Sequence, residues 1–239
     1  MLQVPRARAS GWLVGPLWAV GRPGKGRPLV LLHGNGESHR VFDRLAHKLP
    51  ERPLLAFDSR AHGRSPRGRA PLTIGAMADD VAGALAGLGL REVDLLGFSD
   101  GGNIALELAL RHPGSIGRLL ICGANLEPRG MRTGSWLATV IAHRGARQVA
   151  RLVPRSVPLV ELLALMAEQP RIDPADLARI AVPVLVVAGE HDVIRRAHTE
   201  LIADALPVSR LVVVPHAGHS IPRTRPGALA ALVEEFFAA

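Results

Sequence analysis

The 239-residue chain is poor in cysteine, lysine and aromatic residues: one cysteine (Cys122), two lysines (Lys25 and Lys48) and 3% aromatics. A single cysteine excludes an internal disulfide and any cysteine-rich metal site. No apolar run approaches the ~20 residues that cross a bilayer as a helix, so no membrane span is expected. The first residues, Met1-Leu2-Gln3-Val4-Pro5-Arg6, lack the apolar stretch of a signal peptide, and residence in the cytoplasm is expected. Scarce lysine changes the meaning of the net charge of +8. Of 29 basic residues, all but Lys25 and Lys48 are arginine, scattered without a run of five. Arginine with abundant Ala, Gly and Pro reads as the coding bias of a GC-rich genome, and a nucleic-acid partner is not expected. What remains, at 48% hydrophobic residues, fits one soluble domain with a single sizeable core.

Apolar runs set the organisation. Pro28–Leu32, Leu54–Phe57, Val93–Leu96, Arg118–Cys122, Val182–Ala188 and Arg210–Val214 read as strands, several of them continuous enough to be buried on both faces. Between them lie helical patterns: Val41–Leu49 stopped by Pro50, Ile74–Leu88 after Thr73 as N-cap, Asn103–Arg111, Arg195–Leu206 and Pro226–Phe237. Residues 1–27 read as irregular, with one or two short strands between Trp12 and Val20. Strands alternating with helices predict an α/β fold, a mainly parallel sheet with helices on both faces. From Asn125 to about Pro174 the alternation fails. Trp136–Val153 and Val157–Ala167 look helical with no strand between them, so 125–174 reads as an inserted helical lid on a core formed by 1–124 and 175–239.

At the centre stands Gly97-Phe98-Ser99-Asp100-Gly101, a G-x-S-x-G pattern between an apolar strand and a helix. That motif lifts a serine hydroxyl out of a sheet on a sharp, strained turn, where a Cβ at 97 or 101 would collide with neighbouring backbone. A serine needs a base to take its proton, and the base an acid to orient it. Downstream strand ends offer Gly189-Glu190-His191-Asp192 and Pro215-His216-Ala217-Gly218-His219. Ser99, Asp192 and His219 follow one another in the chain order that nucleophile-elbow enzymes use.

Five blocks in order carry a resemblance over nearly the full length: His33-Gly34-Asn35-Gly36, Asp58-x-Arg60-x-His62-Gly63-x-Ser65, the Gly97–Gly101 elbow, Gly189-x-x-Asp192 and Gly218-His219. The chain resembles serine hydrolases of the α/β-hydrolase fold. Its Ser99-Asp100-Gly101-Gly102 form is similar to that of small biphenyl-hydrolase-like esterases, a group that includes amino-acid-ester hydrolases. The resemblance implies Ser99 as nucleophile, His219 as base, Asp192 as orienting acid, and the backbone N–H groups of Asn35 and Asp100 as oxyanion hole. It implies cleavage of small carboxylic esters through an acyl-serine, with no metal or other cofactor. The expected partner is a small-molecule ester, with no nucleic acid or membrane, for a monomer or homodimer. Ala61 stands where the family usually has glycine.

Alternatives stay open at this level. His216 competes with His219 as base, and Glu127 occupies the usual alternative acid position. A lactone, a thioester or a carbon–carbon bond are other targets of the same triad, and the fold also serves as a ligand receptor. His33 reads as a loop brace, Asp58 and His62 as turn residues, and His112, His143 and His198 as surface residues. Trp136 and Met166 are the candidates for substrate contact, with Leu137, Ile141, Leu162, Leu163 and Leu165 as pocket roof or lid core. Seven lid arginines, Arg129, Arg132, Arg144, Arg147, Arg151, Arg155 and Arg171, would favour acidic acyl groups if they faced the crevice.

Overall fold

The computed structural model describes residues 11–24 and 26–238; the expectations for 1–10 and Lys25 lie outside them. Eight strands form one sheet in the order β1-β2-β4-β3-β5-β6-β7-β8: β1 (Trp12–Val14), β2 (Leu17–Arg22), β3 (Leu29–Leu32), β4 (Leu54–Asp58), β5 (Val93–Phe98), β6 (Ile116–Cys122), β7 (Val184–Gly189) and β8 (Ser209–Val214). The pairings from β4 through β8 are parallel, while β1 and β2 form an antiparallel edge.

The continuous apolar runs become strands because both sheet faces are covered, and every residue of β3 and β5 is buried. Alternation then sorts side chains by face. Val30, Leu32 and Leu95 pack on one face with α2 (Ile74–Gly87), α3 (Asp100–Arg111) and α6 (Arg196–Ala205). Leu29, Leu31 and Leu96 pack on the other with α1 (Asp43–Lys48) and α8 (Pro226–Ala238). Each such aliphatic side chain contributes about 1.5–3 kcal/mol on full burial. Thr73 caps α2 as expected, its hydroxyl accepting from the Ala76 N–H at 3.1 Å. A one-turn helix, α7 (Ile221–Thr224), was not legible in the sequence.

Between β6 and β7 the chain leaves the sheet for a helical hairpin, α4 (Thr133–Ala150) and α5 (Val157–Glu168). Its base is fastened to the loop after β7. The Arg132 N–H donates to the Val193 carbonyl at 2.7 Å, the Arg195 N–H to the Gly130 carbonyl at 2.9 Å, and Met131 bridges Ile194.

Candidate active site

β5 ends at Phe98, α3 begins at Asp100, and Ser99 alone makes the turn, at φ 53° and ψ −122°. For a residue with a Cβ this costs on the order of 1–3 kcal/mol and persists only where surroundings impose it. Here they do. The Ser99 N–H donates to the Cys122 carbonyl at 2.8 Å, and its own carbonyl accepts from the N–H groups of Gly102 (2.7 Å) and Asn103 (3.2 Å). A Cβ on Gly97 would strike the Gly101 carbonyl, and one on Gly101 the Leu32 carbonyl. The helix thus starts three residues before the expected Asn103, because glycines packed against backbone leave no apolar pattern to read.

Two loops at the carboxyl ends of β7 and β8 complete the arrangement. Ser99 Oγ lies 3.0 Å from His219 Nε2, and His219 Nδ1 lies 2.7 Å from Asp192 Oδ1. A proton on Nδ1 held by the carboxylate leaves Nε2 free to accept from the serine. Burial works against the Asp192 charge. The His219 contact and the N–H groups of Ile194 (3.0 Å) and Gly189 (3.3 Å) outweigh it and hold the carboxyl below the usual range. Gly123, at φ 68° just past β6, leaves room for this pair: a Cβ there would sit 2.8 Å from His219 Cε1. The competitors lie elsewhere. The His216 side chain is 82% exposed beside Glu190, and Glu127 is exposed in a separate surface hollow with Arg129 and Trp136.

Ser99 and His219 open on a cavity of about 180 Å³. Asn35 and Asp100 both line it. Gly34 packs so closely that a Cβ on it would lie 3.0 Å from the Ser99 Cβ, which brings the Asn35 loop against the serine. The Asp100 N–H stands at the free amino end of α3, ahead of the two N–H groups that turn back to Ser99. The Asn35 side chain is engaged with the hairpin, donating to the Leu162 carbonyl at 2.8 Å. Met166 lines the cavity. Trp136 does not: it lies half-buried under Arg129, whose Cζ is 4.9 Å from the ring centroid. The expected roof is likewise corrected at Leu137 and Ile141, which are exposed on the outer side of α4.

Two carboxylates border this cavity: Glu37, to which sequence reasoning gave no role, and Asp100, read there for its N–H and its charge at the helix N-terminus. Glu37 Oε2 and Asp100 Oδ2 are buried without a hydrogen-bond partner. Burial raises the Glu37 carboxyl above its usual range despite the Arg223 guanidinium 3.0 Å from its other oxygen. Burial pushes Asp100 up to about 6, against the opposing pull of Asn35, His219 and Asn103. The unfolded chain therefore loses this proton first as pH rises, so stability falls between about 4 and 6, leaving a cost of about 3 kcal/mol above that window. Asp100→Asn is expected to raise the unfolding free energy at pH 7.5 by ~1–3 kcal/mol, with the gain vanishing near pH 4 in denaturant titrations. An equal gain at both pH values would refute it.

The remaining sequence-level assignments divide. His33 braces its loop, with Nδ1 donating to the Gly34 carbonyl (2.7 Å) and Nε2 accepting from the Ser59 N–H (2.9 Å); burial lowers it to about 4. Asp58 holds the turn by accepting from the N–H groups of His39 and Arg64. Ala61, where glycine was expected, has φ 62°, a left-handed conformation that explains the preference. His143 and His198 are buried, not surface residues as expected. His198 Nε2 accepts from the Leu126 N–H at 3.0 Å, and burial lowers its pKa. None of the seven arginines singled out between 125 and 174 lines the cavity. Arg132 turns inward, its Nε donating to the Asp192 carbonyl at 2.7 Å. Among the described residues, Glu190, His191 and His216 have potential ligand atoms within 4.8 Å of one another, but all three are exposed and lie off the cavity.

Residues 27–167 match the family model described as alpha/beta hydrolase fold. A pimeloyl-[acyl-carrier protein] methyl ester esterase of Neisseria meningitidis is 30% identical over 88% of this chain and 92% of its own. Among solved structures, a thermophilic esterase from Thermogutta terrifontis superposes with a TM-score of 0.76 at 24% identity, over 93% of each chain. An N-acyl homoserine lactone degrading enzyme does so with a TM-score of 0.71 at 25% identity, over 92% of this chain and 97% of its own. A mainly parallel sheet with a serine on a strained turn after its central strand, matched across this much of the sequence, has one reading: the chain belongs to the α/β-hydrolase fold family.

Proposed function

We propose that the chain hydrolyses small carboxylic esters through an acyl-enzyme on Ser99, with residues 125–174 as the lid over the site. The observation that carries this is the unbroken contact from Asp192 through His219 to Ser99, opening on a cavity. Ser99 Oγ attacks the ester carbonyl as His219 Nε2 takes its proton, and Asp192 stabilises the resulting imidazolium. Charge gathers on the former carbonyl oxygen, where the Asn35 and Asp100 N–H groups receive it. The intermediate collapses, and the alcohol leaves with the proton from His219. Water then repeats the sequence on the acyl-serine and releases the acid. A lactone, an internal ester, enters the same cycle, and one relative in structure is an N-acyl homoserine lactone degrading enzyme. We place the protein in the cytoplasm as a monomer or homodimer, with Cys122 a buried free thiol.

The unpartnered oxygens of Asp100 and Glu37 favour a narrower substrate class than the lid arginines suggested. A cavity bordered by carboxylates suits an ester whose acyl part carries an ammonium group, in keeping with the resemblance to amino-acid-ester hydrolases. The test compares p-nitrophenyl acetate and butyrate, then an α-amino ester against its des-amino isostere. All should turn over, with the amino ester ahead by about tenfold in kcat/KM, near 1.4 kcal/mol. Because Asp100 is charged only above about 6, that lead should shrink as pH falls through this value and disappear in Asp100→Asn. Equal rates at every pH would remove the ammonium preference. No turnover of any ester would leave a ligand receptor.

A further inference from the structure

The outer side of the helical hairpin differs in chemistry from the rest of the surface. Among the described residues, six of the nine large exposed hydrophobic side chains lie between Leu137 and Leu159. Leu152, at the hairpin tip, is 86% exposed, and Ile141, midway along α4, is 63% exposed. Leu137, Ile141, Arg144 and Gln148 recur at spacings of three and four and so share one stripe of α4, while Thr139 and His143 on the opposite stripe are buried. From Pro128 to Val160 the sequence has six arginines and no Asp or Glu.

Ion pairing is common among the arginines of the body, although Arg40, Arg69 and Arg91 are exposed there with no carboxylate partner among the described residues. There, Arg60 pairs with Asp80, Arg111 with Asp79, Arg118 with Asp94 and Arg210 with Glu235. On the hairpin, Arg144, Arg147, Arg151 and Arg155 have no carboxylate partner among the described residues; Arg151 bonds only to Gln148. Exposed aliphatic groups interleaved with unneutralised guanidiniums are the composition of a segment lying at an anionic lipid surface.

We infer that the outer face of the α4–α5 hairpin docks on an anionic phospholipid bilayer, with Ile141 and Leu152 entering the headgroup boundary and Arg144, Arg147, Arg151 and Arg155 meeting lipid phosphates. A bilayer fits this face better than an acidic protein. Protein interfaces draw on aromatic anchors in pockets, and the one aromatic of this segment, Trp136, is turned in under Arg129. The lack of a helix long and apolar enough to span, among the described residues, bears on crossing a membrane, not on resting against one. The hairpin's inner side supplies Met166 to the cavity and the Leu162 carbonyl to Asn35. Docking would therefore set the cavity directly beneath the lipid surface, where amphiphilic esters collect. The inference concerns binding alone and holds whichever bond the site cleaves.

The test is cosedimentation with vesicles of phosphatidylcholine alone and of equimolar phosphatidylcholine and phosphatidylglycerol, using the full chain with Ser99→Ala so that no lipid is hydrolysed. Partitioning onto the anionic vesicles should exceed that onto neutral ones by about tenfold or more and fall with salt. Two paired variants, Ile141→Asp with Leu152→Asp and Arg144→Glu with Arg147→Glu, should each lower it by about tenfold. Circular dichroism and the thermal midpoint should stay unchanged, since all four side chains are exposed. Equal partitioning onto both vesicles overturns the inference. So does full retention by the aliphatic variant with loss only in the arginine variant, which would mark a basic face suited to an acidic protein.

Discussion

Ser99→Ala is expected to lower ester-hydrolysing kcat by about 10⁵-fold while leaving the fold intact. Only the Oγ is removed, and the backbone bonds that impose the turn, from Ser99 N–H to Cys122 and from Gly102 and Asn103 to the Ser99 carbonyl, involve no side-chain atom. What survives is catalysis by the cavity and its N–H groups acting on water, so substrate binding should change far less than kcat. A fluorophosphonate should add one equivalent of mass to the wild-type chain, on the peptide containing Ser99, and none to the variant. Labelling on another residue, or turnover preserved in the variant, would show that the nucleophile lies elsewhere.

Asp192→Asn should cost about 10³–10⁴-fold in kcat. One carboxylate oxygen accepts from both His219 Nδ1 and the Ile194 N–H, and the other faces the Gly189 N–H. An amide cannot satisfy all three donors. With its oxygen toward His219 it keeps the tautomer but brings no charge to the imidazolium. With its nitrogen there it inverts the tautomer, and Nε2 can no longer accept the serine proton. Glu127→Gln, by contrast, should leave kcat within about twofold, because Glu127 is exposed outside the cavity. The reverse ranking of the two variants would assign the orienting acid to Glu127.

The parts of this fold that could be read from sequence are those whose cause is local. The strand at Leu29–Leu32 is a continuous apolar run, and the one before Ser99 is apolar apart from Asp94, which Arg118 neutralises; helices cover both faces, and such runs carry their own signal. The elbow was legible because a strained turn demands small residues at fixed offsets. His143 and His198 were misread because burial is decided by distant chain. His198 is enclosed by Gly130 and by Leu126, whose N–H it accepts, and neither neighbour leaves a mark near residue 198. The arginines of α4 present the same difficulty, since a cation facing solvent and one facing a crevice have the same local pattern. Glu37, near the start of the family-matching region, and Gln169, just past its end, both reach the cavity, and only the folded chain brings them together.

Gly123 carries a consequence for how the sequence can drift or be improved. Replacing glycine is a familiar route to a stiffer unfolded chain and a higher melting temperature, but it succeeds only where the native backbone and its surroundings accept a methyl group. Gly36, Gly68, Gly89 and Gly114 share the left-handed backbone of Gly123, and a methyl on any of them meets no atom within 4 Å. At those sites substitution strains the backbone and nothing more. At Gly123 the same methyl would press on the imidazole of His219, at 2.8 Å, and come into ordinary contact with the carboxylate of Asp192, at 3.6 Å. Positions alike in backbone angle therefore differ sharply in evolutionary freedom, and a stabilisation screen scored on melting temperature alone would not distinguish the one packed against His219 and Asp192.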